Sequence, residues 1–78
     1  MDEFMWKVGI ALAEMRLIIE GAVLLYEDVS PPFFQTARAE GRAADVAVLE
    51  TLQGALCGIK DRICELQTEY ERTALNQQ

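Results

Sequence analysis

The strongest order in this chain is an apolar repeat of seven residues, and it occurs twice. In the second half Leu49, Leu52, Leu56, Ile59, Ile63, Leu66 and Tyr70 follow at alternating gaps of three and four. In the first half Met1, Met5, Val8, Leu12, Met15, Ile19, Ala22 and Tyr26 do the same. Such spacing keeps a narrow stripe of an α-helix apolar, the seam of a coiled coil rather than a broad globular face. A seam needs a second helix to fill it. Two matched seams in one short chain predict an all-α antiparallel hairpin, each helix lying in the other's groove.

The punctuation sets the expected boundaries. A first helix is expected over residues 2–28, with Asp2 and Glu3 at the start, where the helix dipole favours acids. Ser30-Pro31-Pro32 predicts a turn over 29–32, because each proline turns the residue before it away from the α region. Pro32 suits the first position of a new helix, so a short connecting helix over 32–40 follows, with Phe33 and Phe34 folded over the hairpin end. A break is expected at Gly41-Arg42, then a long helix over 43–74 and a frayed end over 75–78. One helix running from Pro32 to Thr73 would be about 63 Å long against about 40 Å for the first, which leaves a long overhang with little to pack on.

The seams do not use all of the apolar surface. The first helix carries a second line, Trp6, Ile10, Ala13, Leu17, Gly21 and Leu24, expected on the face away from the hairpin partner. Burying a Leu or Ile is worth about 1.5–3 kcal/mol, so a line of them left wet marks an interface. Two outcomes fit: two hairpins pair through it as a four-helix-bundle homodimer, or it docks a different protein. Trp6 is the expected energetic anchor, as an aromatic at an interface edge. The long helix has a small-residue face, Gly54, Cys57, Gly58 and Cys64, where a second backbone is expected to pack closely.

Composition narrows the chemistry. Seventy-eight residues make one domain near the lower size limit for a self-sufficient core, and 51% hydrophobic residues argue for order. The net charge of −6, from thirteen acids and seven bases, repels phosphate backbones and argues against nucleic acid as a partner. Glu14, Arg16 and Glu20 interrupt the apolar first helix, the chain opens with acids, and no basic cluster flanks it. No membrane span or secretory leader is therefore expected, and the reading is a cytoplasmic protein.

Histidine is absent, which removes the commonest general base and metal ligand. Cys57 and Cys64 lie seven residues apart on one helix, about 10.5 Å between Cα atoms, too far to bridge within the chain. They are expected as reduced thiols, with no further ligands to complete a zinc site. No phosphate-binding glycine loop or nucleophile elbow occurs. Nothing names a reaction, so no catalytic residue, cofactor or metal is expected.

The stretch from Leu49-Glu50-Thr51-Leu52 to Tyr70-Glu71-Arg72-Thr73-Ala74-Leu75 resembles the C-terminal helix of the small co-chaperones that guard type III secretion needle subunits. Those are also short helical hairpins, so the resemblance implies an escort role; it spans under 30 residues built of common helix formers. The leading expectation is a non-enzymatic acidic protein that binds another protein through apolar helix faces, as chaperone-like escort, regulator or inhibitor. The alternatives are a phage- or plasmid-type inhibitor of a host protein, a purely structural self-assembling bundle, and a thiol redox sensor.

Overall fold

A computed structural model describes residues 2–76 as two α-helices, α1 over Glu3–Ala39 and α2 over Ala43–Asn76. They pack side by side and antiparallel into a rod 58 × 15 × 14 Å. At 1.5 Å per residue, 37 and 34 residues give helices of about 55 and 51 Å, nearly equal and close to the length of the rod. Of the frayed end expected over 75–78, Leu75 and Asn76 instead continue α2, while Gln77 and Gln78, like the first seam position Met1, lie outside the described residues.

The ends of the helices follow local chemistry. Asp2 caps α1, its Oδ1 accepting from the Met5 N–H at 2.8 Å, and Glu3 pairs with Lys7 one turn on. At the other end Gly41 adopts φ +70°, the left-handed region that glycine enters without Cβ strain. The Arg42 N–H bonds back to the Ala37 carbonyl at 2.8 Å and the Gly41 N–H to the Arg38 carbonyl at 3.2 Å. That paired pattern is a Schellman motif, which satisfies the last carbonyls of α1 and turns the chain into α2. Arg42 staples the turn with side-chain bonds to Glu40 at 2.9 Å and Asp45 at 2.7 Å. The break expected at Gly41-Arg42 is the only interruption among the described residues.

The turn expected over 29–32 and the separate helix over 32–40 are both absent, because α1 runs unbroken through Pro31 and Pro32. The two missing N–H groups free the carbonyls of Glu27 and Asp28, and both residues are exposed, so water can satisfy them. Across the prolines the inward residues keep their rhythm: Val23, Ser30 and Ala37 recur every seven and are buried, with Tyr26 half-buried between them. Continued packing against α2 outweighs a local cost of about 3 kcal/mol per interior proline. Phe33 and Phe34 accordingly sit on the helix and do not form a plug; Phe33 is exposed, and Phe34 lies under the Arg38 guanidinium, 5.0 Å from its ring centre.

The inner seam is also turned from its expected place. Taking Met5, Leu12, Ile19 and Tyr26 on α1 and Leu49, Leu56, Ile63 and Tyr70 on α2 as position a, all eight are buried or half-buried. Their seam mates are not the residues three along, position d, but those four along, position e. Gly9, Val23, Ser30 and Ala37 on α1, and Val46, Lys60, Gln67 and Ala74 on α2, are buried or half-buried, while Arg16 and Gln53 at the same position are exposed. At position d, Met15, Leu52 and Ile59 are 45–50% exposed, while Val8 and Leu66 are half-buried. Both helices are therefore rotated about 50° from the apolar-only reading. On α1 the e residues Gly9, Ser30 and Ala37 are small, and at Gly9 the helices approach so closely that a Cβ would collide with Tyr70.

Two tyrosines fix the register. Tyr70 donates from its hydroxyl to the Met5 carbonyl at 2.8 Å, and Tyr26 donates to the Leu49 carbonyl. Each is an a-position ring reaching the backbone of its layer mate on the other helix, one near the open end of the rod and the other about three-fifths of the way to the turn. The first depends on Gly9: a Cβ there would stand 2.5 Å from the Tyr70 hydroxyl oxygen and 2.7 Å from the adjoining ring carbon.

Candidate functional site

Rotating the seam toward e leaves two unequal flanks beside it. In an antiparallel pair with right-handed helices, positions d and g of both helices fall on one side of the hairpin and positions b and f on the other. The d/g flank is apolar on both helices. From α1 it presents Phe4, Met15, Ile18, Leu25 and Val29, and from α2 Val48, Leu52 and Ile59, every one exposed. Between Ala22, Leu25, Val29, Phe33, Leu52 and Leu56 it dips into an open apolar hollow of about 430 Å³. Its charged residues all come from α2: Asp45 near the turn, then Arg62 and Glu69 toward the far end.

The b/f flank holds the second apolar line, and the structure divides it. Trp6, Ile10 and Ala13 stand beside Gln67, Tyr70 and Glu71 around a shallow cleft. Leu17 and Leu24 continue along the outer edge at 71% and 66% exposure, while Gly21 lies on the outermost stripe with open space around it. The α2 side of this flank is polar and small: Glu50, Gln53, Cys57, Cys64 and Glu71. Arg16 ties the helices together here, donating to Glu20 at 2.8 Å and to the Gln67 side-chain Oε1 at 2.9 Å. The hydrogen bond to Glu20 holds the Arg16 guanidinium above its ordinary range, with the Glu20 and Glu71 carboxylates adding negative potential.

The expected close-packing face on α2 has no partner backbone within the hairpin. A Cβ on Gly54 or Gly58 would meet nothing within 4 Å, and Cys57 and Cys64 are free and half-buried. The glycine that does allow close approach is Gly9, whose signal in the sequence is its position: it stands one turn along from Met5, the layer mate of Tyr70, and so lies under the Tyr70 ring. What the sequence leaves unread is the d/g flank as one surface: apolar spacing assigns its d residues Val8, Met15, Leu52, Ile59 and Leu66 to the hairpin's interior, and Phe4, Ala11, Ile18 and Leu25 to positions flanking that seam.

Among the described residues no group of three or more His, Cys, Asp or Glu side chains is placed to hold a metal ion. No helix among them is long and apolar enough to cross a membrane. No family model, curated protein or solved structure matches this chain.

Proposed function

We propose that this chain is a non-enzymatic, acidic helical protein that works by binding another protein through the apolar flanks of its hairpin. The observation that supports this most is that α1 is apolar on both flanks. Phe4, Trp6, Leu17, Ile18, Leu24 and Leu25 are each more than 60% exposed in the single chain. A helix that served only its hairpin partner would carry polar residues there, since each such Leu or Ile forgoes about 1.5–3 kcal/mol of burial.

The Trp6 line is the surface read as the target site. It is narrow, one helix wide, and bordered by Glu14, Glu20, Glu27 and Glu71. Such a stripe suits an amphipathic helix whose apolar residues follow the line and whose basic residues meet the acidic border. An escort or an inhibitor would use it alike, by covering a helix that is otherwise exposed or active. The test is capture from the native host followed by mass spectrometry, with wild type beside Leu17→Lys/Leu24→Lys. One or more proteins held by wild type and lost from the variant support the reading. Capture unaffected by the variant, or no capture at all, counts against it.

A further inference from the structure

We infer that the d/g flank is covered by a second copy of this chain, lying antiparallel with its turn at the opposite end of the rod. This goes beyond the reading of a heterologous target on the other flank, and it rests on where the flank's charges and small residues fall. The patch runs along α1 from Ala11 to Phe33, about 33 Å, and is two helices wide. That is on the order of 650 Å² before side-chain relief, close to the ~800 Å² per partner that stable dimers bury.

A two-fold axis crossing the rod at right angles through its apolar centre passes beside Ala22 of α1 and between Leu52 and Ala55 of α2. These points lie in one layer of the hairpin, by the register that Met5–Tyr70 and Tyr26–Leu49 define. On α1 the axis sets Ala22 against its own copy, Ile18 against Leu25, Met15 against Val29, and Ala11 against Phe33. On α2 it sets Leu52 against Ala55, Val48 against Ile59, and Asp45 against Arg62. Large apolar side chains meet apolar partners on both sides of the central Ala22, and the one acid within the contact meets the one base. Asp45 and Arg62 are exposed at the rim in the single chain, each engaged only by a neighbour on its own helix or turn. Glu69 falls beyond the partner's α2 and stays in water.

The other symmetric choice, with both turns at the same end, fits worse. It lays each α1 along the other copy's α2, which puts Arg62 over Ala11 and Glu69 over Phe4. The d/g flank of α1 carries no charge to meet either, so both would be desolvated unpaired.

The test uses the full chain with Cys57→Ser and Cys64→Ser, so that one introduced thiol reports the geometry. Ala22→Cys in that background is expected to form a disulfide-linked dimer under mild oxidation, while a mixture of Ala22→Cys and Leu52→Cys chains gives little mixed product. A dominant mixed product places the turns together and overturns the antiparallel arrangement. In the otherwise native chain, Arg62→Asp is expected to weaken the dimer roughly tenfold and Asp45→Arg/Arg62→Asp to restore it. Failure of the reversed pair to restore it also contradicts the proposal. A wild-type chain that is monomeric at micromolar concentration overturns it outright, whatever target the other flank captures.

Discussion

The two flanks of this hairpin share the same α1 yet differ in kind, and α2 makes the difference. On the d/g side α2 adds Val48, Leu52 and Ile59 to a row that already holds Ile18, Leu25 and Val29, so the surface is broad and apolar across both helices. On the b/f side α2 supplies Glu50, Gln53, Cys57, Cys64 and Glu71, and only the stripe from Trp6 to Leu24 is apolar. A broad flat face suits a pair of helices from an equal partner; a single stripe edged with acids suits one helix. On the proposed reading, a helix apolar on both flanks would take different partners according to what its neighbour places beside it.

That contrast can be broken from either side. The largest effect is expected from Leu25→Lys/Ile59→Lys, which puts two charges at the centre of the broad flank. At about 1.5–3 kcal/mol for each buried side chain lost, association should weaken by at least about a hundredfold, read by sedimentation. Circular dichroism should show the monomer still helical, because neither residue is in the inner seam. Leu17→Lys/Leu24→Lys should leave that association unchanged, and a dimer lost in both variants would erase the distinction between the flanks.

Smaller effects probe the seam that creates the flanks. Gly9→Ala should destabilise the hairpin by about 1–3 kcal/mol in urea unfolding, since the new methyl displaces the Tyr70 ring from its bond to Met5. The gain of about 1 kcal/mol in helix propensity offsets only part of that. Gly41→Ala should cost about 1–2 kcal/mol by forcing a side chain into the left-handed region at the turn. Gly54→Ala and Gly58→Ala carry the opposite sign: each meets open space and should stabilise by up to about 1 kcal/mol. A loss there would mean that another backbone packs on that face, as their spacing alone suggests.

The hairpin, its antiparallel sense and the break at Gly41 were all legible in the sequence. They rest on periodicity and on a residue with a special backbone preference, both local signals. Continuation through Pro31-Pro32 was obscured because the proline rule weighs only the local helix. The compensating term is Val23, Ser30 and Ala37 packing against a helix far along the chain. The spacing of those three residues was visible, but seam residues of low hydrophobicity, Ser and Ala, hide it from a search for large apolar groups. The same bias misplaced the seam. Met15, Leu52 and Ile59 look more like an interior than Gly9, Ser30, Ala37 and Lys60 do, yet it is the second set that is buried or half-buried. The bulkier set faces outward, onto the flank that the proposed second copy would cover.

The most direct test of the central claim, that the outward d positions are an association face and not half of an inner seam, is sedimentation of wild type beside Leu25→Lys/Ile59→Lys. Wild type is predicted to run at twice its 8.7 kDa chain mass at micromolar concentration, and the variant as a helical single chain. A wild-type monomer, or a variant that remains dimeric, would contradict the account.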